Sequence, residues 1–369
     1  MAADPSTVVV GGGFALALVF GFTAAKSNFC TLGALSDIVN MGHWGRMRMW
    51  LWAVAVATAG TAALSVAGWA DVGKAVFARP SLPWLSLLVG GLLFGVGMTL
   101  AGGCANKNLV RVGGGSLRSL VVLAFLAISA YMTLKGLFGQ WRASLLDPVR
   151  IELAGWADSR LATLLARTLG LESRTATLAA ALAAALALAV FVFKDKRFRG
   201  NRVQVVSSTV LGLLVVGAWY VSGRLGFGEH PETLENVFFA TNTRTIESFS
   251  FVAPLAFGLE LLLLWSDANR QMSFGIASAL GVIAGAAAMA LATRSFRIES
   301  FRDPADLVRH IAGGLLMGFG GVTALGCTLG QGVSGLSTLA LGAAITTAAI
   351  IAGAVATMKL QYWLPTRAG

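Results

Sequence analysis

Residues 90–104 read GGLLFGVGMTLAGGC, and residues 313–327 read GGLLMGFGGVTALGC. The two stretches stay in register for fifteen residues at an offset of 223, sharing Gly-Gly-Leu-Leu, two further glycines and a terminal Gly-Cys. Each leaves its apolar run for a polar, Gly-rich stretch, ANKNLVRVGGG (105–115) and TLGQGVSGLS (328–337), and each then becomes apolar again. A match at a long fixed period marks an internal repeat. A greasy helix that breaks at the same place in two halves points to a site enclosed by protein, because bare backbone polar groups are not tolerated in lipid.

The rest of the chain agrees with a membrane reading. Of 369 residues, 56% are hydrophobic and 12% charged, with a mean hydropathy of +0.75. A soluble domain is usually about a quarter charged, so these charges are too few to cover a soluble surface. The balance is basic, 28 Lys and Arg against 17 Asp and Glu. With no aromatic–basic nucleic-acid motif, that excess reads as loops that orient the chain and meet anionic headgroups of the bilayer. It also favours an anionic solute. No nucleic-acid partner is expected.

Apolar runs fall at about 8–25, 50–70, 82–101, 117–134, 177–193, 203–222, 250–265, 274–293, 311–326 and 336–358. A full span needs about 20 residues, so full helices mixed with shorter, re-entrant ones are expected. The first run lacks a basic flank and a cleavage site, and reads as a membrane element that is kept. The expected fold is an all-α polytopic membrane protein with two pseudo-symmetric, inverted repeats whose short half-helices meet at the centre. The divisions are 1–135, a first transmembrane repeat; 136–244, a linking region with two spans; and 245–369, a second repeat. The linking region carries the basic hinge KDKRFRGNR (194–202), which is assigned to the cytoplasm. A weaker echo pairs FGFTAAKSNFCTLGA (20–34) with LWSDANRQMSFGIAS (264–278), with Ser273 in the role of Cys30.

The three cysteines, Cys30, Cys104 and Cys327, all sit where an apolar run breaks, among glycines and small polar groups, with no acid within five residues. They form neither a disulfide framework nor a zinc pattern, and His43, His230 and His310 have no ligand partners at metal spacing. No metal or cofactor is expected. A membrane cysteine is ordinarily a small hydrophobe, but three at breaks, two of them at matching repeat positions, point to the lining of a path. Lys26 either snorkels to the interface or faces that path. Lys107 follows Cys104 by three residues, and Asn106, Asn108, Thr328 and Gln331 supply neutral hydrogen bonds. Gln331 fits a satisfied interhelical contact equally well. Carboxylates, which a cation path would use, are absent from the breaks, and no base lies near a cysteine in sequence, so an enzyme is not expected.

AGGCANKNLVRVGGG (101–115), GGLLMGFGGVTALGCTLGQGVSGLSTL (313–339) and KSNFCTLGALSDIVNMGHWGRMRMW (26–50) resemble the YeeE/YedE family of bacterial inner-membrane proteins with sulfur-transport domains. The resemblance covers nearly the whole chain, least diagnostically at 136–244. It implies uptake of thiosulfate, or of a related sulfur or selenium anion, along a path carrying three cysteines, which here match Cys30, Cys104 and Cys327. It also implies, for some members, a small soluble sulfur-carrier protein on the cytoplasmic side. Two other readings stay open: a membrane sensor that hands a sulfur signal to a soluble regulator, and a sulfurtransferase that forms a persulfide. Neutral thiols are expected at the constriction, since a thiolate would repel a dianion and S–H is a weak donor that releases what it binds.

Overall fold

The computed structural model describes residues 4–229, 234–267 and 269–367, and the side chains of all of these except 364–367. His230 and Ala268 lie outside the described residues. The first part runs α1 (Pro5–Ser27), α2 (Thr31–Met41), α3 (Gly45–Val66), α4 (Trp84–Leu100), α5 (Ala105–Gly113) and α6 (Leu117–Lys135). Next come the short α7 (Leu137–Trp141) and α8 (Leu161–Leu169), the long α9 (Ser173–Phe193), the hinge turn α10 (Lys196–Gly200) and α11 (Arg202–Tyr220). The last part is α12 (Ala253–Leu263), α13 (Phe274–Ala292), α14 (Pro304–Thr323), a wide π-type turn at Gly330–Gly335, and α15 (Leu341–Arg367). Two small antiparallel ribbons decorate the loops, Ser81–Leu82 with Ile151–Glu152 and Phe227–Glu229 with Asn236–Phe238.

Among the described residues, eight helices are long and apolar enough to cross a membrane. The chain is a multi-pass, all-α membrane protein. Helices dominate because a helix satisfies its own backbone where no water can. All ten apolar runs of the sequence coincide with helices.

The centre is built on glycine. α4 and α14 cross antiparallel with no room for a side chain between them. A Cβ on Gly90 would stand 2.7 Å from the Gly320 carbonyl oxygen, and one on Gly320 would stand 2.6 Å from that of Gly90. Gly97 and Gly313 meet in the same reciprocal way, each at 2.7 Å. Small residues let membrane helices approach until their backbones touch. The flanking contacts also match. Gly95 lies against Ile350 and Ala354 of α15, and Gly318, its match 223 residues on, lies against Leu126 and Ala130 of α6. α1 and α13 are a different case, because they run parallel: Gly281 meets Phe14 and Ala17, and Gly285 meets Leu18 and Phe22.

The exits from α4 and α14 share one backbone design. Gly102 and Leu325 take left-handed conformations at φ +64° and +59°. The next amide reaches back five residues, Gly103 to Met98 O at 2.9 Å and Gly326 to Gly321 O at 2.8 Å. This is a Schellman-type stop. The returns match as well, one residue further along: Gly115 and Leu339 have positive φ, Leu117 N–H donates to Glu299 O, and Leu341 N–H donates to Ser159 O. For a leucine the left-handed region costs about 1–2 kcal/mol, so Leu325 and Leu339 hold their shape through their surroundings.

The hinge fixes one face. Arg48 in the first turn of α3 pairs with Asp195, and Trp44 stacks edge-on with Phe191 at 5.9 Å. The start of α3 therefore lies beside the basic hinge, and the ends of α4 and α15 lie on that same face.

Candidate functional site

Each cysteine begins a helical turn. Cys30 precedes α2, and its sulfur accepts the Gly33 N–H at 3.3 Å. Cys104 precedes α5 in an extended backbone conformation, with no side-chain cap hydrogen bond. The Cys327 sulfur accepts the Gly330 N–H at 3.4 Å, at the start of the π-type turn. At Cys30 and Cys327 the sulfur takes the amide three residues ahead, one of the donors that a helix start leaves free, whereas Cys104 makes no such cap hydrogen bond. Ser273 does the same with a hydroxyl, accepting Ile276 N–H at 3.3 Å, but it opens the full-length α13. The early echo thus extends to the cap and not to a short helix.

These segments converge. All three thiols are free and buried, with exposures of 8% at Cys30, 2% at Cys104 and 0% at Cys327. Thr328, Cys30 and Cys327 are all close enough to the Cys104 sulfur to interact with it electrostatically. Residues more than two hundred positions apart in sequence therefore share one neighbourhood at the ends of short helical turns. Helix starts carry partial positive charge, and the exposed amides there suit an anion.

Cavities flank the cysteines on both faces. On the hinge face a space of about 610 Å³ is lined by Cys30, Asn28, Arg46, Lys107 and Arg111. Lys107 Nζ donates to Asn28 Oδ1 at 2.5 Å, which ties the α5 break to the end of α1. Arg46 binds Asp37 through two bonds of 2.5 Å, and Arg111 donates to Gly102 O at 2.8 Å. A second space of about 600 Å³ shares Gly102 and Arg111 and also holds His310. On the opposite face, lobes of about 300 and 240 Å³ share Arg79 and Arg142, and Gln331 lines the larger.

The polar residues expected at the breaks divide into several roles. Asn108 is fully buried, and its Nδ2 donates to Gly103 O at 2.9 Å and Cys104 O at 3.1 Å. It closes the Gly103 carbonyl and adds a second bond to the Cys104 carbonyl, which already accepts the Asn108 N–H, so it holds Cys104 in place. Asn106 is buried with an unpaired Oδ1. Gln331 Nε2 donates to Ala324 O at 2.6 Å, leaving Oε1 without a partner. Its Oε1 is thus a free acceptor toward its surroundings, while one hydrogen of Nε2 is held by Ala324 O. Lys26 is exposed on the last turn of α1 and does not line the hinge-face cavity with Lys107. The arginines were not singled out as cavity residues, because Arg46, Arg79 and Arg142 lie far from any cysteine in sequence and nothing local marks them. Arg111 sits seven residues past Cys104, where it reads as a membrane-edge residue until α5 folds back on Gly102.

Replacing Asn108 with Leu keeps the branched shape and strands the Gly103 carbonyl, while the Cys104 carbonyl keeps the backbone N–H of residue 108. An unmet buried hydrogen bond costs about 1–3 kcal/mol, so Asn108→Leu should lower the thermal midpoint of the detergent-solubilised protein. An unchanged midpoint would remove Asn108 from its role in the break.

The interior is completed by an extended segment around 246–252, whose polar backbone is met by hydroxyls. Ser334 donates to Phe249 O at 2.9 Å and Ser248 donates to Val215 O at 3.1 Å. Irregular backbone at depth is allowed where protein encloses it.

Residues 26–356 match the sulphur transport family. The thiosulfate transporter TsuA of Escherichia coli K12 is 26% identical over 334 residues, covering 85% of this chain and 84% of that protein. The thiosulfate transporter TsuA of Spirochaeta thermophila is 26% identical over 347 residues, covering 92% and 96%. The matched region contains all three cysteines, both α4–α14 glycine contacts and the hinge. This chain is a multi-pass membrane protein belonging to the sulphur transport family.

Proposed function

We propose that the chain imports thiosulfate, or a closely related sulfur anion, across the bacterial inner membrane along a path lined by Cys30, Cys104 and Cys327. The observation that carries this reading is the convergence of three free, buried thiols between cavities on opposite faces. The names of the two relatives support the cargo. The positive-inside rule supports a cytoplasmic position for the basic hinge and for the Cys30 cavity on its face. Two inverted repeats, 1–135 and 245–369, would put the Cys104 and Cys327 breaks at equivalent depths from opposite faces. The reciprocal glycine contacts and the paired left-handed exits support that arrangement.

Thiosulfate has charged oxygens at one end and a soft sulfur at the other. Thiols at successive helix starts offer weak S–H donors together with nearby backbone amides. Each site holds the ion loosely, as conduction requires. The cytoplasmic cavity, with Arg46, Lys107 and Arg111, receives the anion, where a small soluble sulfur-carrier protein would accept it.

Isotope placement separates passage from covalent transfer. With the inner or the outer sulfur labelled in separate experiments, passage delivers both labels to the lumen of proteoliposomes in equal amounts. In the covalent route a thiolate takes the outer sulfur to form a persulfide, the S–S bond of thiosulfate breaks, and sulfite leaves. Entry of the outer label alone would overturn passage, and entry of neither would overturn import.

A further inference from the structure

The face opposite the hinge carries chemistry that the cysteines do not use. Arg79 and Arg142 stand at the junction of the two lobes and line both. Arg79 is exposed and makes no ion pair or hydrogen bond among the described residues. Arg142 Nε lies 3.2 Å from Asp147 Oδ2 but out of line for a hydrogen bond, which leaves that buried nitrogen unmet. Two hydroxyls in the larger lobe are also unmet: Ser159 Oγ, in a residue with 0% exposure, and Thr323 Oγ1, in one with 2%. A buried hydroxyl without a partner is unusual, and each calls for an explanation.

The charges in the lobe are unbalanced. Arg79, Arg142 and Arg150 line it against one acid, Asp147, which also accepts from Ser86 Oγ at 2.7 Å. Arg150 is engaged by Glu152 at 2.6 Å. In the smaller lobe Glu247 is held by the Thr243 N–H at 2.8 Å and hydroxyl at 2.7 Å. The larger lobe therefore presents two guanidinium groups and two free hydroxyls. Gln331, four residues past Cys327, lines the same lobe and connects it to the thiols.

We propose that Arg79, Arg142, Ser159 and Thr323 form an outer oxyanion site that takes the oxygen end of a tetrahedral sulfur dianion before it meets Cys327. Planar guanidinium forks match such oxygens, and the hydroxyls find there the acceptors they lack within the protein. Bound by its oxygens, thiosulfate keeps its soft sulfur for the thiols. This inference rests on the import reading for direction, and the site itself can be tested without transport.

Two measurements on the full-length protein test it. In proteoliposomes, Arg79→Gln and Arg142→Gln should each raise the KM for thiosulfate about tenfold, the loss expected for one charge-assisted contact, with kcat kept. Asp147→Asn should lower KM by releasing Arg142. In detergent, sulfate and thiosulfate should each bind the wild type. Both should weaken in Arg79→Gln and in Thr323→Val, while Cys327→Ser leaves sulfate binding intact. Unchanged KM and unchanged anion binding in the arginine variants would overturn the site. Oxyanion binding that depends on Arg79 in a protein that carries no thiosulfate would keep the site and defeat the import reading.

Discussion

Cys104→Ala and Cys327→Ala are each expected to lose thiosulfate uptake by at least about tenfold while still inserting and remaining monodisperse. The loss follows from position. Cys104 and Cys327 are the two most buried thiols, 2% and 0% exposed, and both Cys327 and its neighbour Thr328 lie close enough to the Cys104 sulfur to interact with it electrostatically. An ion passing between the cavities meets both, and removing one contact worth about 1.4 kcal/mol from the rate-limiting crossing slows it tenfold. Folding should survive, because alanine fills nearly the same space and the helix-start amide regains only a modest cost. Serine is the finer probe. It keeps a hydroxyl that can accept a helix-start amide, as Ser273 does naturally for α13, and an O–H to donate, but gives up the soft sulfur, so Cys→Ser variants should fall between wild type and alanine. Lys26→Ala is the control, since that side chain is exposed and does not line the hinge-face cavity. Wild-type uptake in Cys104→Ala and Cys327→Ala would end the thiol path. Equal loss in Lys26→Ala would show that the effect does not come from the thiols.

What was legible in the sequence was whatever depends on local pattern. Apolar runs mark the helices because the bilayer admits little else. The glycines of 90–104 and 313–327 mark a close crossing because only glycine lets two backbones touch, and Gly90, Gly97, Gly313 and Gly320 all lie at the α4–α14 contact. What was not legible depends on distant segments meeting. Arg79 and Arg142 are separated by four helices in sequence and share both outer lobes only after folding. Asn108 reads as a path residue, but its amide turns inward to hold Gly103 and Cys104. Left-handed backbone at Gly102 follows from its residue type, whereas the same geometry at Leu325 does not, because there the fold imposes what the side chain resists.

Gly320→Val and Gly97→Val are expected to abolish the folded protein. At Gly320 a Cβ alone would sit 2.6 Å from both Gly90 O and Phe94 N, and at Gly97 it would sit 2.7 Å from Gly313 O and 2.8 Å from Met317 N. These are backbone atoms of a facing helix, so no rotamer change relieves them. The helices must part, and α4 and α14 also carry the packing of α15 and α6 at Gly95 and Gly318. Overpacking a well-filled core costs about 1–3 kcal/mol per site where side chains can give, and here they cannot. Alanine turns the same contact into a test of symmetry. Gly97 and Gly320 are equivalent at the 223-residue offset, and so are Gly90 and Gly313. If two inverted repeats meet at this crossing, Gly97→Ala and Gly320→Ala should lower the thermal midpoint by equal amounts, and so should Gly90→Ala and Gly313→Ala. The double variant Gly97→Ala/Gly313→Ala should cost less than the sum of its parts, because both methyl groups open one gap. Normal yield and melting of Gly320→Val would remove the crossing from the centre of the fold. A wide difference within either alanine pair would mean that the halves share a motif without sharing a load.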